Sequence, residues 1–282
     1  MKRLIALSLI VFFAISAFSQ NNSIWFDHIT TDNGLTNSNV LTIHKDKIGY
    51  IWFGTKDGLH RYDGSNMVVY NNLASDSTSI SSGIIWAIEQ GRDQSLWIAT
   101  ENGLNKYDYK RDRFTSFFSN PKDPDASKYN VIKDLVMGND GFLWIATMEM
   151  LSKFDTKTNK IVSSVKIGNF IDTLKNNFIH KLVKSKNNGF WVLCDQGIGF
   201  FNLSNERLIV YPIQTIDKIK IPFISLEEDS GGHVWAGSPK GLFVLNTIAN
   251  QFEPLENGDN IGLNNLTISA ITEINNQLWL GT

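Results

Sequence analysis

The side chains that could carry out chemistry are few and lie far apart in this sequence. The five histidines are His28, His44, His60, His180 and His233. None has the spacing of a zinc-ligand set, and no His-Glu-x-x-His motif occurs. The sequence also lacks a Gly-x-Ser-x-Gly nucleophile elbow and a Walker loop. We therefore predict no catalytic residue, no metal ion and no cofactor.

Several aspartates occupy the same position in segments of 44–47 residues that resemble one another. They therefore do not form a unique pair. Asp63, Asp108 and Asp155 each follow an aromatic residue near the end of such a segment. A pair of acids that cleaves a glycosidic bond should occur once in the chain. The recurrence predicts that these aspartates cap turns.

Composition argues against other classes of function. The chain carries 26 basic and 28 acidic side chains, for a net charge of −2. Without a clustered basic face we predict no nucleic-acid surface. The one cysteine, Cys194, cannot form an internal disulfide, so the core alone must hold the fold.

A repeat in the sequence predicts the strands that would position any functional site. Six of the eight tryptophans stand 44–47 residues apart, at Trp52, Trp97, Trp144, Trp191, Trp235 and Trp279. Each of the first five follows an apolar strand and a turn rich in Gly, Asp and Asn, and is itself followed by a second turn and strand. Each unit therefore predicts four strands, which is one blade of an all-β propeller. The third unit has Glu149-Met150-Leu151 in place of the usual glycine, so its second turn should differ.

The repeated tryptophans are predicted to be structural. Large aromatic residues that recur once per repeat usually form the core between stacked units. Small residues two positions later, such as Gly54 and Gly237, would let adjacent sheets approach. Five complete blades are predicted between Val40 and Glu253, with part of a sixth, out of about seven in a ring.

One variable position on the first strand of each unit provides the candidate ligand-binding residues. It lies eleven residues before the anchoring tryptophan and holds Leu41, Trp86, Lys133, His180 and Ile224. We expect it to line the axial channel, where Trp86, Lys133 and His180 would stack on and hydrogen-bond a sugar. The alternative is that Trp86 only adds to the core. The long connections 71–83, 119–130 and 254–265 are expected on one face, either as recognition loops or as solvated spacers.

The full motif resembles the two-component regulator propeller repeat. Its pattern is Asp/Asn-x-x-Gly-x-(Ile/Leu)-Trp-(Ile/Phe)-(Gly/Ala)-Thr-x-x-Gly-Leu-x-x-(Tyr/Phe)-Asp, and the resemblance covers about residues 25–282. It implies the periplasmic sensor region of a hybrid two-component receptor of the kind found in Bacteroidetes, with an oligosaccharide ligand. It also implies further propeller blades, a β-sandwich, a membrane helix and cytoplasmic histidine kinase, receiver and DNA-binding domains. The 282 residues encode none of that downstream machinery.

The two ends of the chain give separate expectations. Residues 1–19 have the basic start, apolar stretch and small residues of a secretory signal peptide, although a retained membrane anchor is the alternative. Residues 20–282 would then be the N-terminal part of the propeller. Because a ring must close, we expect the chain to be a fragment that aggregates alone, with Ile24–Thr30 as the outer strand of a final blade.

Three functions remain open on the sequence alone. The leading expectation is a ligand-sensing ectodomain of an inner-membrane receptor, which relays to a histidine kinase and dimerises through that receptor. In this case only the sequence downstream would cross the membrane. The alternatives are a secreted glycosidase or lyase with the propeller fold and a binding scaffold without a signalling output. The coding sequence after Thr282 would discriminate among them.

Overall fold

The computed structural model describes residues 26–117, 130–169, 178–195, 197–211, 215–216, 219–255, 262–263 and 265–282. The expected signal peptide and Trp25 lie outside these residues. Regular structure is almost entirely β, with two short 3₁₀ helices at Thr31–Asn33 and Ile167–Asn169. Within the described ranges, no helix is both long and apolar enough to span a membrane.

The strands are short and closely spaced. They are β1 (Val40–Lys45), β2 (Ile51–Thr55), β3 (Leu59–Tyr62), β4 (Met67–Tyr70), β5 (Ile85–Gln90), β6 (Leu96–Thr100), β7 (Gly103–Asp108), β8 (Arg113–Phe117), β9 (Ile132–Met137), β10 (Leu143–Thr147), β11 (Met150–Asp155), β12 (Lys160–Lys166), β13 (Ile179–Lys184), β14 (Gly189–Cys194), β15 (Gly197–Asn202), β16 (Arg207–Tyr211), β17 (Thr215–Ile216), β18 (Ile219–Lys220), β19 (Ser225–Glu228), β20 (Val234–Ser238), β21 (Gly241–Asn246), β22 (Gln251–Pro254), β23 (Ala270–Ile274) and β24 (Gln277–Gly281).

The described strands form five four-stranded antiparallel sheets, each in simple chain order. These are β1–β4, β5–β8, β9–β12, β13–β16 and β19–β22. β23 and β24 pair as the start of a sixth sheet, and β17 and β18 form a small separate hairpin. The five complete blades and the partial sixth predicted from the repeat are confirmed.

The sheets are arranged side by side with their first strands innermost. β1, β5, β9, β13, β19 and β23 pack against one another in that order. The fourth strand of each sheet is therefore on the outside, as in a propeller whose blades stand around an axis. This order places the first-strand residues of successive blades next to one another.

The anchoring tryptophans fill the spaces between blades, as predicted. Trp52, Trp97 and Trp144 are completely buried. Trp144 of the third blade lies 5.4 Å from Phe190 and 5.1 Å from Phe201 of the fourth, measured between ring centroids. Such aromatic pairs add to the free energy of apolar burial and hold neighbouring sheets together.

In the first, second, third and fifth blades, a hydroxyl three residues after the tryptophan lies at the second turn of the blade. Thr55 Oγ1 donates to the carbonyl of Gly58 at 3.0 Å and accepts the N–H of Asp57 at 3.0 Å. Gly58 has a φ of +110°, a conformation that favours glycine. In the third blade, Thr147 Oγ1 lies 3.5 Å from the carbonyl of Met150, which is not left-handed. The turn of the third blade therefore differs, as its sequence predicted.

The small residue two positions after the tryptophan permits close approach of the next blade. A methyl group added at Gly54 would lie 2.5 Å from Thr42 Cγ2 and 2.7 Å from Ile85 Cγ2. Thr42 belongs to the same sheet and Ile85 begins the next one. A larger side chain would separate the first two blades, so the predicted role of this position is confirmed.

The segment before the first blade contacts the sixth sheet. The ring of Phe26 meets that of Trp279 edge to face, with 6.0 Å between centroids. Phe26–Thr30 carries no strand assignment. Its proposed role as the outer strand of a final blade stays a prediction, because Ile24 lies outside the described residues.

Candidate functional site

The variable position found in the sequence is a β-bulge on the innermost strand. The register shifts between Val40 and Thr42, between Ile85 and Ala87, between Ile132 and Asp134, and between Ile179 and Lys181. The extra residues are Leu41, Trp86, Lys133 and His180. A bulged residue has no ladder partner, and its side chain is re-aimed relative to the regular strand. The same end of four adjacent inner strands therefore carries all four side chains.

Two of the three candidate residues are in direct contact across a blade boundary. Lys133 Nζ lies 3.6 Å from the centroid of the Trp86 ring, although the two residues belong to different sheets. An ammonium over an indole face is stabilised by about 0.5–2 kcal/mol, more when water is excluded. Burial lowers the pKa of Lys133, and the negative charge of Glu101 opposes that shift.

Glu101 is a third member of this contact, and it was not among the residues predicted from the sequence. Trp86 Nε1 donates to Glu101 Oε2 at 2.6 Å. Glu101 directly follows β6 and lies in the turn that precedes β7. Its position four residues after Trp97 is the signal that could have drawn attention to it.

His180 has an equivalent acidic partner in the fourth blade. Its Nε2 is hydrogen-bonded to Oδ1 of Asp195, and Asp195 Oδ2 accepts the backbone N–H of Phe178 at 3.1 Å. Asp195 lies four residues after Trp191, as Glu101 does after Trp97. In both blades, a carboxylate from the second turn thus binds the bulged residue of its own first strand.

Among the five complete blades, the second, third and fourth have a polar or aromatic residue at the bulged position, and the second and fourth also have an acid four residues after the tryptophan. At the same two positions the first blade has Leu41 and Lys56, and the fifth has Ile224 and Pro239. We call Trp86, Glu101, Lys133, His180 and Asp195 the bulge cluster. The cluster offers one indole face, two carboxylates, one ammonium and one imidazole, but it occupies only one sector of the arc.

Two half-buried carboxylates on the inner strands bind the backbone of the next blade. Glu89 Oε1 on β5 accepts the N–H of Met137 on β9 at 2.9 Å, and Asp134 Oδ2 on β9 accepts the N–H of Leu182 on β13 at 2.6 Å. Burial raises the pKa of Glu89 to about 7 and that of Asp134 to about 6. Asp134 directly follows Lys133, so this support is next to the site.

The recurring aspartates cap turns, as predicted. Asp63 Oδ1 accepts the N–H groups of Ser65 and Asn66 at 2.8 and 2.7 Å. Asp108 and Asp155 likewise accept the N–H of the residue two positions later, in both cases at 2.9 Å. Hydrogen bonds from the backbone lower the pKa of Asp63. Within the described parts of the chain, no group of three or more His, Cys, Asp or Glu residues is placed to hold a metal ion.

Comparison with known proteins identifies both the repeat and the fold. Residues 34–57 match the family described as two component regulator propeller. Histidine kinase P4 of Formosa agariphila is 47% identical over 70 residues, which are 25% of this chain and 5% of that protein. The extracellular domain of a B. thetaiotaomicron protein described as a hybrid two component system superposes with a TM-score of 0.73 at 23% identity. Virginiamycin B lyase from Staphylococcus aureus superposes with a TM-score of 0.65 at 14% identity.

These structural likenesses establish the β-propeller fold. The superposition on the B. thetaiotaomicron domain covers 91% of this chain and 34% of that one. The superposition on the lyase covers 88% of this chain and 78% of that one. Residues 34–57 thus match the two component regulator propeller family, and a similar blade motif recurs from Trp52 to Trp279.

Proposed function

We propose that this chain is the ligand-sensing propeller of a two-component signalling receptor and lies outside the cytoplasm. The observation that carries the proposal is the family repeat, because a histidine kinase and the extracellular domain of a hybrid two component system are among its relatives. In this proposal the chain is the periplasmic ectodomain of an inner-membrane protein. It binds a ligand, and a cytoplasmic histidine kinase in the same receptor carries out the catalysis.

The proposed ligand is an oligosaccharide that binds at the bulge cluster. Sugar hydroxyl groups both donate and accept hydrogen bonds, and the cluster offers the acceptors Glu101 and Asp195 and the donor Lys133. Trp86 adds an aromatic face with a polar edge. Few convergent polar groups around an apolar platform are typical of sites for small ligands.

Signal relay requires that the ligand bind one arrangement of the blades better than another. The bulge cluster suits that role, because its residues come from three adjacent blades. A ligand that touches Trp86, Lys133 and His180 would therefore favour one spacing of β5, β9 and β13. We propose that a dimer of the receptor transmits this change across the membrane.

Calorimetric titration of the complete protein with a panel of oligosaccharides tests the proposal. We expect H180A to weaken binding about tenfold, which corresponds to about 1.4 kcal/mol. The matched control is H233A, because His233 is an exposed residue of the turn between β19 and β20. Absence of binding for every oligosaccharide, or equal loss in the two variants, would contradict the proposed site.

The His180–Asp195 pair supports an enzyme as a second candidate. An imidazole oriented by a carboxylate is an arrangement used by general bases. Turnover of any bound oligosaccharide, abolished by H180A, would favour a glycosidase or lyase over a sensor. Binding without turnover and without any change in kinase autophosphorylation would instead indicate a scaffold.

A further inference from the structure

The side chain of Lys133 occupies the face of Trp86 that a ligand would use. Its Nζ lies 3.6 Å from the ring centroid. The indole also packs against the apolar core shared by the second and third blades, so part of the ring is already covered by the protein. A sugar that stacks on this face of Trp86 must take the place of the ammonium.

The surroundings of that ammonium have the chemistry of a receptor for organic cations. An indole face attracts a cation through its electron-rich centre, and a nearby carboxylate adds a full negative charge. Glu101 supplies that carboxylate, and its hydrogen bond from Trp86 Nε1 at 2.6 Å fixes the ring and the charge relative to each other. Lys133 is held by this pair although it belongs to the next blade.

The balance of charge also favours a cationic ligand. The bulge cluster contains two carboxylates, Glu101 and Asp195, against the single ammonium of Lys133. If Lys133 is displaced, the carboxylates of Glu101 in the second blade and Asp195 in the fourth blade both remain. An anionic ligand would then meet two like charges, whereas a ligand with its own ammonium would restore the balance.

We propose that Trp86 and Glu101 form a binding site for an organic ammonium group, which Lys133 fills in the free protein. The ligand is an oligosaccharide of amino sugars with free amino groups, and its ammonium displaces that of Lys133. This inference rests on the proposed function, names the class of sugar and replaces the direct contact between Lys133 and the ligand with displacement of Lys133. Because Lys133 leads directly into Asp134, which binds β13, the displacement acts on the contact between the third and fourth blades.

A tethered competitor has a measurable consequence. The ligand can bind only those molecules in which Lys133 has left the site. The apparent affinity is therefore the intrinsic affinity multiplied by the fraction of molecules whose site is free. Replacing Lys133 with methionine keeps an unbranched apolar chain but removes the competing charge. We therefore expect K133M to bind an amino-sugar ligand about tenfold more tightly, while E101Q weakens that binding about tenfold.

The test compares two ligands with the same backbone, a glucosamine trimer and its fully N-acetylated counterpart. Each is titrated by calorimetry into the complete wild-type protein and into K133M, E101Q and K47M. K47M is the matched control, because Lys47 is an exposed lysine in the turn after β1. We expect the wild type to prefer the glucosamine trimer about tenfold, with the preference falling as salt is raised.

The outcomes separate this inference from the proposed function. Equal affinity for the two trimers overturns the ammonium site while leaving oligosaccharide sensing intact. Failure of both trimers and of every other oligosaccharide overturns both. Weaker binding of the glucosamine trimer to K133M overturns displacement, because Lys133 would then contact the ligand directly. If melting curves show that K133M is unfolded, the comparison of the trimers on the wild-type protein decides alone.

Discussion

Asp46 of the first blade accepts five hydrogen bonds. Its Oδ1 accepts the backbone N–H groups of residues 48–50 at 2.9–3.0 Å. Its Oδ2 accepts Trp52 Nε1 and the hydroxyl of Tyr109, each at 2.8 Å. Burial alone would raise the pKa of Asp46, but these hydrogen bonds outweigh it and the pKa is lowered. One carboxylate thus closes a turn, holds an anchoring indole and contacts the next blade.

We expect D46A to destabilise the protein by about 2–4 kcal/mol, because it leaves the buried Trp52 Nε1 without an acceptor and removes the cap of the turn at residues 48–50. Guanidinium unfolding followed by tryptophan fluorescence measures the change. D63A is the matched control, since Asp63 caps an exposed turn and should cost about 1 kcal/mol or less. Similar losses for the two variants would show that the buried network adds nothing to turn capping.

Glu89 makes stability depend on pH in a direction opposite to most acids. Burial raises its folded pKa to about 7 from an ordinary value of 4.5, and the negative charge of Asp134 contributes. The folded state therefore holds the proton more tightly than the unfolded state. Its stabilising contribution is complete below pH 4.5 and is lost as the pH rises through about 7.

Denaturant unfolding between pH 4.5 and 8 should show this loss, which is at most about 3 kcal/mol from Glu89. E89Q should flatten the profile, because glutamine keeps an acceptor for the N–H of Met137 without titrating. E253Q provides the control, since Glu253 is held in its charged form by Asn246 and Gln251. A profile that is equally steep in E89Q would exclude Glu89 as the source.

The site residues show which single-residue features the sequence could predict. Trp86, Lys133 and His180 stood out because their position varies among repeats that otherwise agree. Glu101 and Asp195 did not stand out, because turn residues vary for many reasons. Each of these acids binds a side chain that a β-bulge directs toward it. The bulge follows from the pairing register of two strands and is not apparent in the sequence of either strand alone.

At the scale of the blade, a cation beside the anchoring tryptophan links neighbouring sheets. Arg61 lies 3.5 Å from Asp112 of the second blade, and Lys153 lies 3.5 Å from Glu206 of the fourth. Both acids precede the outer strand and are left-handed, with φ of 52° and 51°. The equivalent cation of the second blade, Lys106, instead pairs with Asp93 of its own sheet at 3.7 Å.

The acid missing opposite Lys106 gives a prediction for the boundary between the second and third blades. The equivalent residue is Asn159, with a φ of 56° that aspartate tolerates. We expect N159D to stabilise the protein by about 0.3–1 kcal/mol, less at high salt. A double-mutant cycle with K106M measures the coupling. A gain that persists in the K106M background would mean that the new carboxylate acts elsewhere.

Strand positions were largely predictable from the sequence, whereas contacts between strands were not. The four strands predicted for each unit are present in all five complete blades, and turns bound each strand. Alternation and turn residues set these bounds locally. The contact of Trp86 with Lys133 depends on how two sheets pack, and each repeat describes only its own sheet.

For the whole molecule, the repeat interval predicted the number and order of the blades. It did not predict how the segment before the first blade contacts the sixth sheet. Phe26 reaches Trp279 of the sixth sheet, a contact that no repeat encodes. The first strand also differs from its equivalents. Ile43 is 64% exposed, whereas Ile88, Leu135 and Leu182 at the same position are 7%, 5% and 5% exposed. The first sheet therefore presents an apolar face that later sheets bury.

This uncovered face gives a prediction for the 282-residue chain expressed alone. An exposed apolar surface beside a strand edge favours association between copies, which I43D should reduce by placing a charge on it. Light scattering coupled to size exclusion over a range of concentrations measures the effect. I248D is the matched control, because Ile248 is 97% exposed at a turn between β21 and β22, away from any sheet face. Equal reduction by both substitutions would point to net charge as the cause, and a wild-type chain that stays monomeric at every concentration would show that the face does not drive association.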